Sequence, residues 1–236
     1  MRPPPRAALG RRSLLRGALL TTGAVITSGC SPPSPRGSSP SSGPSSRQPS
    51  ERPVPRRSSS TGAPVLLAYF SRAGENYHYG GRRNLEIGNT EVLARMIRER
   101  LDCDVHRIQP ADPYPADYDQ TVARNVEEQN ADARPAIAGA LPDIDPYPTV
   151  LLASPIWNVR APMIMPTFTD KLDFTGKVVH PLTTYAMSGL GTTERDYAAS
   201  CPRATIGAGL AVRGEQVTSA GPDIDAWLRR TGLPPR

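Results

Sequence analysis

Hydrophobic residues fall along the carboxyl-terminal three quarters of the chain in a regular alternation of strand-like and helix-like patterns. Residues 65–70, VLLAYF, are an unbroken apolar run of strand length, ended by the polar and glycine-bearing SRAGEN. Such runs suit strands buried on both faces, as in parallel sheets covered by helices. Val92, Leu93, Met96, Ile97 and Leu101 then recur at helical spacing and predict a helix over 90–101. A second strand is predicted at 104–109, a polar helix at 117–131, a third strand at 149–153 and a helix at 162–172. A fourth strand at 177–185, a helix at 192–200, a fifth strand at 204–212 and a terminal helix at 222–230 complete the series. Pro181 counts against a central place for the fourth strand, because proline has no N–H for the ladder. Five strands alternating with helices predict a parallel α/β sheet with helices on both faces.

The first 63 residues have a different texture. They contain no Phe, Trp or Tyr, so they have little with which to build a core. Residues 1–30 have the parts of an export signal: Arg2, Arg6, Arg11 and Arg12 at the start, an apolar middle at 17–26, and small residues before Cys30. That middle falls short of the roughly 20 apolar residues a bilayer span requires. The run from Arg11 and Arg12 to Arg16 resembles a twin-arginine signal. Thr27-Ser28-Gly29-Cys30 resembles a bacterial lipobox with Cys30 as the lipidated residue, although Thr27 stands where an aliphatic residue is usual. A simple cleaved secretory signal is the alternative. In residues 31–63, 12 Ser and 8 Pro mark a low-complexity tether. Extended, it reaches at most about 100 Å. The expected organisation is therefore an export signal at 1–30, a linker at 31–63 and one folded domain at 64–236.

Charge is placed accordingly. The formal net charge is +6, but residues 1–63 hold ten Arg and one Glu, a net +9. Residues 64–236 hold 18 basic and 21 acidic side chains, a net −3. A nucleic-acid footprint belongs on the folded domain, and this distribution argues against one.

In open parallel sheets, ligands bind beyond the carboxyl ends of the strands where the strand order reverses. Three loops there carry candidate chemistry. After the first strand, Ser71, Asn89 and Thr90 offer side-chain donors, while Gly74 and Gly88 let the backbone come close, so free amides at the helix start can face an anion. The competing reading is that Asn89 or Thr90 simply caps the helix. This segment has neither GxxxxGK[ST] nor GxGxxG. After the third strand, Trp157 could cover a planar ring or pack in a groove. After the fourth, Gly189 and Gly191 could expose backbone groups, or the loop could merely cap the next helix through Thr192 or Thr193.

Taken together, LLAYFSRAGEN, GNTEVLA, ASPIWNVRAPMIMPTFTDKLDFTGK and MSGLG resemble the flavodoxin-like family in order and spacing across nearly all of residues 64–231. That resemblance implies a five-stranded sheet of order 2-1-3-4-5 with FMN at the switch point, and a tolerated proline near Pro181. It further implies that Ser71, Arg72, Ala73, Asn76, Gly88, Asn89 and Thr90 belong to the phosphate loop. Pro155, Ile156, Trp157 and Asn158 would lie beside the isoalloxazine, and Ser188, Gly189, Leu190 and Gly191 at its pyrimidine edge. The phosphate turn departs from the family pattern through an insertion containing Tyr77, His78, Tyr79, Arg82 and Arg83, expected to form a flap over the cofactor.

Other chemistry is poorly supported. Cys103 and Cys201 are expected at opposite sheet edges, too far apart for a disulfide. His78, His106 and His180 share no metal-ligand spacing, and Ser188 lacks the G-x-S-x-G elbow. Glu127, Glu128, Asp223 and Asp225 read as solvated or helix-start charges. Three functions remain: an exported, lipid-anchored FMN protein passing electrons to or from a redox partner protein or a quinone; an NAD(P)H or quinone oxidoreductase on the same fold; and a flavin-free binding lipoprotein.

Overall fold

In the computed structural model, which describes residues 64–233, the first apolar run is β1 (Val65–Tyr69), followed by a hairpin of β2 (Gly74–His78) and β3 (Gly81–Leu85). The alternation then continues through α1 (Asn89–Arg100), β4 (Asp104–Arg107), α2 (Tyr118–Asn130), β5 (Thr149–Pro155), α3 (Ile164–Asp170) and β6 (Val178–Tyr185). Last come α4 (Thr193–Ser200), β7 (Thr205–Ile206), β8 (Leu210–Arg213), a 3-10 turn at Gly214–Ser219 and α5 (Gly221–Arg230). The export signal, Cys30 and the linker lie outside the described residues. Among those described, no helix is long and apolar enough to cross a membrane.

The main sheet runs β4-β1-β5-β6, with β7 and β8 both pairing β6, and every pairing in it is parallel. Counting β7 and β8 as one broken strand, this is the expected 2-1-3-4-5 order. The apolar runs are unbroken because the strands are covered on both sides. Val65, Leu67 and Tyr69 join Leu93 and Ile97 of α1 and Ile224, Trp227 and Leu228 of α5 in one buried cluster. Leu66, Ala68 and Phe70 join Ile164, Met165 and Phe168 of α3 and Tyr197 of α4 in the other. Successive side chains point to opposite faces of a strand, so each face needs its own apolar set.

The fifth strand differs from the continuous element predicted at 204–212. β6 advances three residues from Val179 to Leu182, whereas its neighbour advances four from Ile206 to Leu210. The extra residue makes a bulge opposite His180 and Pro181, where proline has no N–H to offer. The bulge is not left unpaired. The Ala208 carbonyl accepts from Trp227 Nε1 at 2.9 Å and meets His180 Nδ1 at 3.0 Å. A proline inside the sheet is thus accommodated by breaking the strand beside it.

Helix α2 is turned the unusual way round. Its buried positions are Thr121, Asn125 and Glu128, whereas Val122 and Val126 stay 43% and 40% exposed. Glu128 corrects the expectation of a solvated charge. It accepts from Tyr114 Oη at 2.8 Å and pairs with Arg124 Nε at 2.8 Å, and the Arg124 guanidinium lies over the Tyr114 ring at 4.2 Å. Asp225 likewise pairs with Arg100 at 3.1 Å. Cys103 precedes β4 and Cys201 precedes β7, at the two edges of the sheet; burial pushes the Cys201 thiol up to about 11.

Two of the three histidines serve packing in separate places: His106 stacks on Phe168 and His180 meets Trp227 edge-on. Burial holds both below the ordinary imidazole pKa. The unfolded chain takes up these protons near pH 6.5, and the folded chain only lower. Stability is therefore fullest above about pH 6.5 and falls as pH drops from there toward the folded values. Thermal melts between about pH 7.5 and 5.5 should show this decline, reduced in the His106→Gln, His180→Gln double variant. An equal decline in that variant contradicts the assignment.

Candidate functional site

A cleft of about 390 Å³ opens at the carboxyl ends of β1, β5, β6 and β8. Ser71 and Arg72 line it from the end of β1, Asn89 and Thr90 from the start of α1, and residues 155–158 from the end of β5. Residues 184–186 follow β6, Gly214 and Glu215 follow β8, and Asn76 and Tyr77 come from the hairpin. One face of α2 completes the wall with Tyr118, Thr121, Val122, Asn125 and Val126.

The start of α1 is held against the end of β1. Gly88 is its N-cap residue and makes no side-chain cap. A Cβ built there would lie 2.3 Å from the Arg72 carbonyl oxygen and 2.4 Å from Ser71 Oγ. Ser71 Oγ accepts from the Glu91 amide at 3.0 Å, so the cap comes from the preceding strand end rather than from Asn89 or Thr90. Thr90 Oγ1 instead pairs with Thr184 Oγ1 at 2.7 Å, joining α1 to the end of β6. The backbone amides of Asn89 and Thr90 have no acceptor among the described residues. Two amides at a helix N-terminus, in a cleft, form a ready seat for an anion.

The insertion is the β2–β3 hairpin, and it lies along the cleft. Arg72 clips its base by donating through Nη1 to the carbonyls of Pro115 at 2.8 Å and Ala116 at 3.1 Å, and through Nη2 to the Glu75 carbonyl. Burial lowers the Arg72 pKa. Its two terminal nitrogens are taken up by these carbonyls, while Nε is buried without an acceptor among the described residues, in a side chain that lines the cleft. Arg82 makes two bonds to Asp119 at 2.8 and 2.7 Å and lies over the Tyr118 ring, fastening the hairpin to α2. At the hairpin tip the Tyr79 amide donates to Glu215 Oε1 at 3.1 Å. The other carboxylate oxygen of Glu215 is buried with no donor among the described residues. Ala73 is exposed and stands outside the cleft.

Trp157 packs in a groove, edge-on against Phe70, at 5.7 Å, and Tyr114, at 5.0 Å, and also reaches the cleft. The turn that follows it is strained: Asn158 and Val159 have φ of 47° and 64°. For a β-branched residue such a conformation costs about 1–3 kcal/mol. Neighbours hold it in place. Trp157 and Arg160 exchange backbone bonds, the Thr192 amide donates to the Val159 carbonyl at 2.8 Å, and Asn158 Nδ2 donates to Gln129 Oε1 at 3.2 Å.

The loop at 188–191 corrects the expectation for Ser188, Gly189, Leu190 and Gly191, none of which lines the cleft. It folds back to brace the strained turn. Thr183 Oγ1 holds the Gly189 carbonyl at 2.9 Å, and a Cβ on Gly191 would lie 2.2 Å from the Val159 carbonyl oxygen. The rim position after β6 belongs instead to Thr184, Tyr185 and Ala186.

Comparison with known proteins agrees with this architecture. A family model described as flavodoxin matches residues 85–230, more than half of the chain. The chain belongs to the flavodoxin family. No curated protein matches it. A candidate flavoprotein from Bacteroides uniformis is similar at 28% identity, covering 71% of this chain and 99% of its own, with a TM-score of 0.57. One from Bacteroides eggerthii is similar at 26% identity, over 72% and 98%, with a TM-score of 0.55. A Lactobacillus acidophilus flavoprotein in complex with FMN overlaps more loosely, at 15% identity, over 68% and 99%, with a TM-score of 0.49.

Relative to this flavodoxin-family architecture, sequence reasoning missed the α2 wall, residues 184–186, and the Gly214–Glu215 rim. One signal was available: Tyr118, Val122 and Val126 recur every four residues on an otherwise polar helix. The start of α1 carries a direct prediction. Gly88→Ala forces a Cβ into the strand end and should lower stability by about 2 kcal/mol, whereas Ser71→Ala, which removes only a cap, should lower it by about 1 kcal/mol. Urea denaturation measures both, and equal stability of Gly88→Ala and the unsubstituted chain contradicts the close approach.

Proposed function

We propose that the chain binds FMN in this cleft and carries electrons outside the cytoplasmic membrane. The observation that carries the reading is the pair of acceptor-less amides at Asn89 and Thr90, at the end of a cleft that also holds Trp157 and two half-exposed valines. The donor set fits the parts of the cofactor in turn. The helix-start amides and the Ser71 hydroxyl suit a phosphate, and the unpaired oxygen of Glu215 suits the hydroxyls of a polyol. Trp157, Val122 and Val126 suit a flat ring. Asn76 donates to the Gly74 carbonyl at 3.0 Å and keeps the hairpin base in shape beside them.

When bound, the flavin supplies the electron transfer, and the protein binds, orients and shields it. The hairpin, fastened to α2 at one side and to Glu215 at the other, covers the cleft against water. The partner is a redox protein or a quinone. The twin-arginine leader suits export of a protein already folded around a cofactor. Cys30 then anchors the chain to the outer face of the membrane, with residues 31–63 as a tether. Nucleic acid is not a partner in this reading, because the basic excess precedes residue 64.

Fluorescence titration of the full-length chain should show one FMN bound per chain, with riboflavin at least about tenfold weaker because it lacks the phosphate. A chain that takes up neither flavin is not a flavoprotein, and the binding-lipoprotein reading replaces this one. Adding NAD(P)H alone to the loaded protein should leave the flavin oxidised; rapid bleaching makes the protein an oxidoreductase instead. Radiolabelled fatty acid should enter the wild-type chain in its bacterial host but not Cys30→Ser, and label in neither removes the anchor.

A further inference from the structure

Asn125 lies in the middle of α2, is only 3% exposed and lines the cleft. Its carboxamide oxygen accepts from Gln129 Nε2 at 3.1 Å, while its amide nitrogen has no acceptor among the described residues. That orientation follows from donor and acceptor logic. Gln129 Nε2 also meets the Trp157 carbonyl at 3.1 Å, and a backbone carbonyl can only accept. The Gln129 atom there must be nitrogen, so the Asn125 atom it meets must be oxygen. Gln129 Oε1 is then left to accept from Asn158 Nδ2 at 3.2 Å, as it does. One backbone carbonyl thus sets the direction of a three-amide chain, and the N–H that remains belongs to Asn125, at the cleft. A donor fixed in direction, open to the cleft and without an acceptor among the described residues is available to an acceptor on a ligand.

We propose that Asn125 donates to an acceptor atom, a carbonyl oxygen or imine nitrogen, on the edge of the flat ring in the cleft, with Gln129 and Asn158 as its positioning residues. This rests on the flavin reading above. It assigns to α2 a ring-edge contact, in a cleft that the 188–191 loop does not line. It also links the strained turn to binding, since Asn158 joins the two.

The test is titration of the full-length protein with FMN and with lumiflavin, which has the ring but neither polyol nor phosphate. Asn125→Asp keeps the size of the side chain and its acceptor for Gln129 but replaces the cleft-facing donor by an acceptor. At about pH 8 it should weaken FMN and lumiflavin alike, by about tenfold. The loss should recover on acidification, as the protonated carboxyl regains a donor. Gln129→Met should weaken both flavins by about threefold, by releasing Asn125 from its orientation. In the unsubstituted protein, the Asn125 side-chain amide resonances should shift on addition of lumiflavin. Wild-type affinity in Asn125→Asp for both flavins, or unmoved Asn125 resonances at saturating lumiflavin, overturns the proposal while leaving FMN binding standing. Failure of the wild-type chain to bind FMN removes the cofactor reading and this inference with it.

Discussion

No side chain fits at position 88. The first turn of α1 lies so close to the end of β1 that an added Cβ would overlap the Arg72 carbonyl and the Ser71 hydroxyl. Much of the site follows from that closeness. Ser71 can reach the Glu91 amide and cap the helix from outside, while the amides of Asn89 and Thr90, residues that line the cleft, have no acceptor among the described residues. Thr90 can reach Thr184, tying the same helix start to the end of β6. The helix dipole and the open amides then act at one point on the rim where β1, β5, β6 and β8 end.

The opposite wall uses a different economy. Helix α2 buries Thr121, Asn125 and Glu128 and shows Val122 and Val126 to the cleft, the reverse of an ordinary surface helix. Its polar face is tolerated because most of its groups are partnered, the Asn125 amide nitrogen alone among those named opening to the cleft without an acceptor among the described residues. Glu128 is held by Tyr114 and Arg124, Thr121 Oγ1 donates to the carbonyl of Pro115 or Asp117, each 2.8 Å away, and Asn125 accepts from Gln129. Apolar surface left half-exposed on such a helix marks a binding face more readily than a core face. The hairpin ties this wall to the rest, since Arg82 grips the first turn of α2 and Arg72 grips the segment before it.

The fold was legible where physics acts locally along the chain. Runs such as 65–70 suit strands covered on both sides, and their alternation with helical spacing leads to a parallel sheet, whose order the family resemblance supplies. The stretch from Gly88 to Thr90 was legible as chemistry but ambiguous as structure, because a cap and an anion seat call for the same residue types. The closeness of Gly88 to Ser71 shows that the cap comes from Ser71 and not from Asn89 or Thr90, and no spacing rule contains that distance. Three features were hidden for related reasons. The broken fifth strand answers Pro181 across the sheet, the 188–191 loop serves the strained Asn158-Val159 turn rather than the cleft, and Glu128 is buried by partners 4 and 14 residues away. Each depends on a tertiary neighbour that the local pattern does not name.

The central claim is that the first amides of α1 hold the phosphate of a bound flavin. It is tested most directly by the backbone amide resonances of Asn89 and Thr90 in the 15N-labelled full-length chain, recorded with FMN and with riboflavin. The account predicts large downfield shifts of both amides with saturating FMN and much smaller ones with riboflavin. Resonances that stay in place at saturating FMN, or that move equally with the two flavins, contradict it.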